Sequence, residues 1–311
     1  MEAAIGANEA TTQEVQAVEA LVQAVTDEIF VALGARRDGA LRRRLGRVVA
    51  RPVRRLATLA VQFDRRVGED GPAAGSQWLL SHFVERVDAF GQVNIPPAGP
   101  LLVAANHPGA YDSFALVASL PRPDIRALTS EVAAFRCLPH VAQHLIQTDR
   151  DPYKRLAAVR AAIRHLEAGG CLLTFASGFL DPDPLAYRSA AEEARAALAD
   201  WSSSLELILR KVPQAVLIPA IAGGVVAPRW ARHPLVRYRR RAHDRRKLAE
   251  FLQVIYQLVF SDRLKLAPRV VFGAPTPASE LALGGPECMA RIRARAEETL
   301  ALFLQPPTLL S

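Results

Sequence analysis

The residues with the clearest chemical potential lie in the segment AANHPGAYDSF, at positions 104–114. His107 can take up a proton, and Asp112 follows it by five positions. A carboxylate that accepts from one ring nitrogen fixes the tautomer and leaves the other nitrogen free to act as a base. This pair predicts a general base that activates a hydroxyl for attack on an ester or thioester. The alternative is structural: Asp112 or Ser113 caps a helix, and His107 is a hydrogen-bonded turn residue.

The elements that must position this pair are strands alternating with helices. Short apolar runs predict buried strands at 101–105, 125–130, 171–176, 215–222 and 269–273. Helical spacing of apolar residues predicts helices near 112–120, 153–168, 189–211, 243–261 and 287–304. This alternation predicts an α/β fold with a mostly parallel central sheet flanked by helices. Active sites of such sheets lie at the carboxyl ends of the strands, here after Ala105, Phe175 and Ile218.

The N-terminal part of the chain has a different character. Residues 1–70 are predicted to form an amphipathic, Arg-rich helical region, with Pro52 kinking or splitting its second helix. The stretch GEDGPAAGS at 68–76 has the composition of a linker. We therefore expect a domain boundary there, followed by the α/β domain over 78–311.

Composition restricts the classes of protein further. The net charge of +8 is compatible with nucleic acid, an anionic membrane surface or phosphorylated substrates, and no nucleic-acid recognition motif accompanies it. Three widely spaced cysteines favour a reduced, cytoplasmic protein. The N-terminus does not read as a signal peptide, and no apolar run approaches the roughly 18–20 residues that span a bilayer.

Two other patterns suggest different chemistry. Ser177 in FASGF invites a serine-hydrolase interpretation with His107 as base, but the segment departs from the G-x-S-x-G elbow. Cys137, His140 and His144 have ligand-like spacing, but no second pair completes a zinc site. A structural turn and ordinary helix histidines are the plainer interpretations, and no metal is predicted.

Four segments, in order, resemble the glycerolipid acyltransferases of the lysophosphatidate acyltransferase-like family. Asn106, His107 and Asp112 resemble the H-x4-D motif, and Arg150 at the end of LIQTDR matches a phosphate-binding arginine. The segment FASGFL resembles F-P-E-G-T-R and VLIPAI resembles a strand with a central proline; they supply the matched positions Phe175, Ser177, Gly178 and Pro219. The resemblance covers about 78–275 and implies that these residues bind substrate, while His107 and Asp112 are catalytic.

The resemblance also implies an activity. The chain is expected to be an O-acyltransferase that moves a fatty acyl group from acyl-CoA or acyl-carrier protein to a lipid hydroxyl, without a cofactor. The acceptor would be a lysophospholipid, a glycerol phosphate or a related lipid. Ser177 and Leu180 stand where the family has glutamate and arginine, and neither supplies their charge. This departure keeps open a non-catalytic lipid- or acyl-binding protein with the same fold.

Two basic segments suggest where such a protein would meet a membrane. Residues 36–55 combine arginines with an apolar face, and 229–241 combine arginines with Trp230 and Tyr238. We therefore expect peripheral association with the inner face of the cell membrane. For 36–66, an apolar stripe packed on the catalytic domain is an equal alternative.

Overall fold

The computed structural model describes residues 2–33, 40–149, 151–260 and 263–309. Within the first two helices, the side chains of 2–13, 28, 31–33, 40–45, 47 and 48 lie outside the description. The α-helices are α1 Glu2–Leu33, α2 Ala40–Leu80, α3 Asp112–Ser119, α4 Pro139–Ala142, α5 Pro152–Glu167, α6 Ala190–Ala197, α7 Ser204–Lys211, α8 Pro228–Ala231, α9 Pro234–Arg237, α10 Ala242–Val259 and α11 Cys288–Phe303. The strands are β1 Asp88–Phe90, β2 Leu101–Ala105, β3 Ile125–Ser130, β4 Leu145–Thr148, β5 Cys171–Phe175, β6 Val216–Gly223, β7 Arg269–Phe272 and β8 Thr276–Pro277.

The described strands form one sheet in the order β1–β7–β6–β2–β5–β3–β4, and β8 pairs with β6. Strands β6, β2, β5, β3 and β4 run parallel to one another, whereas β7 is antiparallel to β6. The predicted α/β class with a mostly parallel sheet is confirmed. Strand β2 lies in the middle of the sheet and is fully buried, which is why it reads as an unbroken apolar run.

Helices cover both faces of the sheet. Alternate residues of β2 belong to two apolar clusters: Leu101 and Val103 face α2, α3 and α10, while Leu102 and Ala104 face α5, α7 and α11. Because strand side chains alternate between faces, this assignment also decides which residues near the strand ends can meet. Ala105 lies on the α2–α3–α10 face, and the site described below forms on that side.

Helix α2 continues through Pro52, contrary to the predicted kink. Within α2 the break in helical backbone lies at Gly71, whose φ of 87° suits glycine. A proline inside a helix costs about 3 kcal/mol. Pro52 is buried, and its neighbour Val53 packs in a cluster with Ile29 of α1. Each buried aliphatic side chain contributes about 1.5–3 kcal/mol. Tertiary packing therefore outweighs the local preference.

The prediction of a linker at 68–76 is also wrong, because this segment belongs to helix α2. Apart from Gly71, residues 68–76 are helical, and Gly75 and Ser76 are buried. The apolar stripe of α2, including Ala57, Phe63 and Val67, joins the same core as the sheet. For this part of the chain the packing alternative is confirmed, while a boundary between 1–70 and 78–311 stays a prediction.

Most elements of the α/β region lie where they were predicted, but the short elements α4, α8, α9 and β8 were not predicted. Residues 189–211 form α6 and α7 rather than one helix, because Trp201 turns inward between them and is almost fully buried. Strands β1 and β4 were not predicted as strands. Both are short and lie near the edges of the sheet, where periodicity gives little signal.

Candidate active site

His107 and Asp112 form a hydrogen-bonded pair at the carboxyl end of β2. The Nδ1 atom of His107 lies 2.8 Å from Oδ2 of Asp112, and the same oxygen accepts the N–H of Gly109 at 2.9 Å. Asp112 is fully buried, whereas 29% of the His107 side chain is exposed. With Nδ1 facing the carboxylate, Nε2 is the nitrogen available to a substrate. The predicted juxtaposition of these two residues is confirmed.

Asn106 anchors the turn that carries the base. Its side-chain amide donates to the carbonyl of Ala222 at 2.9 Å and accepts from the N–H of Ala222 at 2.8 Å. This buried, reciprocal pair ties the end of β2 to the adjacent strand β6. The backbone of His107 is thereby held against a strand, which fixes the direction of its side chain.

Asp181 secures the backbone of His107 from the other side. Its Oδ2 accepts the N–H of His107 at 2.9 Å, and its own N–H donates to the carbonyl of His107 at 2.7 Å. Burial raises the pKa of Asp181, and the hydrogen bond from His107 opposes that shift. Asp181 lies in a proline-rich polar segment and was not singled out from the sequence. Its position directly beyond the strand adjacent to β2 was the available signal.

Phe175, at the end of β5, lies against the base. Its ring stacks on the imidazole of His107 with centroids 4.2 Å apart and an interplanar angle of 27°. This contact restricts the rotation of the imidazole. The resemblance predicted Phe175 as a substrate-binding residue, and that role stays a prediction.

Ser177 and Gly178 form the turn after β5. The Ser177 hydroxyl donates to the carbonyl of Phe179 at 3.0 Å and accepts its N–H at 3.2 Å. Gly178 adopts a φ of 72° and is exposed. These contacts give Ser177 a structural place within its own turn. They favour the turn interpretation over that of a hydrolase nucleophile.

A positive charge lies close to Leu180, on helix α10. Leu180 is buried, and its carbonyl accepts from Nη1 of Arg246 on α10 at 2.7 Å. A guanidinium therefore lies at this turn although position 180 is apolar. Sequence reasoning missed Arg246, because it is 66 residues away and belongs to an otherwise ordinary basic helix.

The two remaining predicted substrate-binding residues are Arg150 and Pro219. Arg150 lies outside the described residues. Pro219 lies in β6 on the side of Leu217 and Ile221, so it faces the opposite cluster from His107. The ring of Pro219 lies close to Gly273, where an added Cβ atom would be 2.9 Å from it. Thr299 of α11 approaches Gly273 as well. A substrate-binding role for either residue stays a prediction.

The backbone N–H groups of Gly109 and Gly178, which lie in the two turns of the site, are engaged within those turns and do not point to an oxyanion. The N–H of Gly109 donates to Asp112, and the N–H of Gly178 donates to the carbonyl of Phe175 at 3.1 Å. Both hydrogen bonds stabilise the turns themselves. The sequence could not reveal this, because it does not specify where each N–H points.

Acidic neighbours determine the proton affinity of His107. Burial lowers the pKa of His107, but the charge and hydrogen bond of Asp112, with the charges of Glu250 and Asp181, outweigh it and raise the pKa to about 9. Burial in turn raises the pKa of Glu250 to about 7. Glu250 was not noticed in the sequence, where it lies within the apolar part of α10.

An apolar cavity of about 360 Å³ lies beside the pair. Ala110, Tyr111 and Ser113 line it from the turn and from α3, and α1, α2 and α10 contribute mainly aliphatic and aromatic side chains. Glu250 of α10 contributes a carboxylate to the wall of the cavity. Tyr111 is held by a hydrogen bond from its hydroxyl to Gln257 at 2.9 Å. The volume falls in the range of roughly 300–1,000 Å³ that small-molecule sites occupy.

The ligand-like pattern of Cys137, His140 and His144 does not form a metal site. Across the described ranges, no three His, Cys, Asp or Glu side chains converge as a metal ion would require. The ring of His144 instead contacts the carbonyl of Ile125 at 3.1 Å. Cys137 is a free, partly buried thiol packed against the core.

No family model matches the chain, and no curated protein matches it. A solved structure, the 1-acyl-sn-glycerophosphate (LPA) acyltransferase PlsC from Thermotoga maritima, is similar with a TM-score of 0.44. The identity is 14%, and the match covers 95% of this chain and 98% of that chain. At this degree of similarity the function is inferred from the side chains of the site itself.

None of the helices in the described ranges is both long enough and apolar enough to cross a bilayer.

Proposed function

We propose that the chain is an acyltransferase that moves a fatty acyl group from a thioester to a hydroxyl group of a lipid acceptor, with His107 as general base. The observation that carries this proposal is the His107–Asp112 pair beside a cavity with almost entirely apolar walls. A hydrolase of small polar substrates has no use for such a cavity, whereas an acyl chain fills it. The order of the motifs along the chain supports the same activity.

The chemical step follows from the geometry of the base. Nε2 of His107 takes the proton of the acceptor hydroxyl, and the hydroxyl oxygen forms a bond to the thioester carbonyl carbon. The carbon–sulfur bond then breaks, and the imidazolium returns the proton to the departing thiolate. Asp112 keeps the proton on Nδ1 and stabilises the imidazolium between these two transfers. The products are the acylated lipid and free CoA or carrier-protein thiol.

The cavity is the proposed site of the acyl chain. Ala60 of α2 is partly buried in its wall and offers room for a larger side chain. Replacing it by Phe should raise the KM for long-chain donors by about tenfold and leave short-chain donors unchanged, because only long chains extend that far. An equal effect on all donors would contradict this position for the chain.

We further propose that α9 and its neighbours contact an anionic membrane surface. Leu235 is 58% exposed and Tyr238 is 91% exposed, and both lie among arginines. Aromatic and aliphatic side chains beside arginines suit the headgroup region. Sedimentation with liposomes rich in anionic lipid should recover the protein, and the double variant Leu235→Asp, Tyr238→Asp should remain in the supernatant. Sedimentation of both would contradict this assignment.

The activity is tested with purified protein, acyl-CoA and a panel of lysolipids and glycerol phosphate. Lipid mass spectrometry should show an acylated product, and thioester consumption should require the acceptor. The matched control is His107→Ala. Tight binding of donor and acceptor without turnover would contradict the enzyme and favour the non-catalytic binding protein.

A further inference from the structure

A second pocket, distinct from the apolar cavity, lies between α10 and the loop that follows β5. Its volume is about 500 Å³, and four arginines line it: Arg232, Arg237, Arg245 and Arg246. Pro108, the residue after the base, forms part of its wall. The pocket therefore extends from the immediate neighbourhood of His107 toward the basic segment around α8 and α9.

The carboxylates in the wall are satisfied by the protein itself. Asp183 accepts the backbone N–H groups of Leu185, Gly224, Val225 and Val226 at 2.8–2.9 Å. Asp181 accepts from His107, and Glu193 accepts the hydroxyl of Tyr187 at 2.6 Å. Burial also raises the pKa of Asp181 and of Asp183, which disfavours their negative charge.

The arginines, by contrast, retain donors for a ligand. A guanidinium has five N–H donors. Arg246 uses one of them on the carbonyl of Leu180, and Arg232 lies over the ring of Tyr187 at 5.4 Å. Neither contact neutralises charge, so the pocket has an excess of positive charge and of hydrogen-bond donors. Planar guanidinium groups match the oxygens of a phosphate in geometry as well as in charge.

We propose that this arginine pocket binds a phosphoryl group of one of the two substrates, next to the base. The inference deepens the proposed acyltransferase function and rests on it for the identity of the substrates. The shared chemistry is a phosphate monoester, which comes either from the acceptor headgroup or from the nucleotide part of a CoA donor. The apolar cavity and the arginine pocket would then hold the acyl chain and the phosphate on two sides of His107.

Binding is measured by calorimetry on the full-length His107→Ala variant at low salt, so that turnover plays no part. The probes are glycerol 3-phosphate for the acceptor, adenosine 3′,5′-bisphosphate for the donor, and inorganic phosphate. We expect at least one of the two organic probes to bind, and the added changes Arg237→Gln and Arg245→Gln to weaken that binding by about tenfold or more. The matched control is Arg240→Gln with Arg241→Gln, which removes equal charge from exposed positions outside the pocket.

Each outcome bears on the proposal. Loss of glycerol 3-phosphate binding alone assigns the pocket to the acceptor, and loss of the nucleotide alone assigns it to the donor. If neither organic probe binds, or if the pocket variant binds as tightly as the control, the proposal is overturned. Near-UV circular dichroism identifies a variant that has lost its fold, for which single changes at the same positions are substituted. Since binding is measured without catalysis, a failure of the acyltransferase assay leaves this result independent.

Discussion

Asp112 and Asp183 are two buried carboxylates at the same edge of the sheet, with different surroundings. Asp183 accepts four backbone N–H groups, which join the loop after β5 to the loop after β6. Asp112 accepts one backbone N–H and faces the ring of His107, and its Oδ1 has no partner within the described structure. A carboxylate surrounded by backbone donors stabilises the fold, whereas a carboxylate paired with a titratable ring changes the proton affinity of that ring.

The difference separates a carboxylate with a structural place, Asp183, from Asp112, the one that we propose to be catalytic. Buried polar groups are normally satisfied, and Asp183 follows this rule with both oxygens. Asp112 places one oxygen against both the N–H of Gly109 and the ring of His107, so its surroundings include a titratable group. Substitution at the two sites should therefore separate activity from stability.

The largest effect is expected at His107. Replacing His107 by Ala should reduce kcat/KM by at least about 10⁴-fold, since the proton of the acceptor then has no base. Circular dichroism should show an intact fold, because the side chain is partly exposed. The matched control is His82→Ala, a partly buried histidine outside the cavity, which should keep its activity. Comparable activity in the two variants would contradict the role of His107.

The next effect concerns stability. Replacing Asp183 by Ala should lower the free energy of unfolding by about 3–5 kcal/mol, because backbone donors remain buried without an acceptor. Chemical denaturation measures this change. The exposed Asp200→Ala provides the control and should shift the unfolding midpoint little. A stable Asp183→Ala protein with no activity would reverse the assignment of the two carboxylates.

Asp112→Asn should lose activity with a smaller change in stability than Asp183→Ala. Since Oδ2 of Asp112 makes both contacts, an amide oxygen at that position keeps them without the negative charge that stabilises the imidazolium, whereas an amide nitrogen there donates to Nδ1 and places the ring proton on Nε2. That tautomer cannot take a proton from the acceptor, so kcat/KM should fall by about 10²-fold or more. Steady-state kinetics and chemical denaturation of the same preparation measure the loss of activity and the change in stability. Wild-type kinetics would show that Asp112 is merely structural.

The smallest effect is on pH dependence. The neutral imidazole is the active form, and the pKa of His107 is raised to about 9, so kcat/KM should rise with pH and level off above that value. Replacing Glu250 by Gln removes a negative charge that stabilises the imidazolium, and the inflection should move to lower pH. Glu167→Gln, at an exposed position, should leave the profile unchanged. An unmoved inflection in Glu250→Gln would exclude this coupling.

The sequence by itself predicted the pair of His107 and Asp112 and most of the elements that carry it. The spacing from His107 to Asp112 is local, and a strand followed by a turn and a helix leaves few ways to place the two side chains. Continuous apolar runs such as 101–105 identify strands that are buried on both faces. These are properties of short segments, so a single sequence is sufficient for them.

Only the tertiary structure decided what surrounds the pair. Asn106, Asp181 and Glu250 act through partners far along the chain, and Pro219 is separated from His107 because it faces the opposite cluster. The same reason explains α2, where Val49 and Val53 pack with Ile29 of α1 and the helix continues through Pro52 although its local propensity predicts a break. Such contacts depend on which elements the sheet order brings together. Periodicity predicts an element and its buried face, but not its neighbours, and the charges and cavities of this site come from those neighbours.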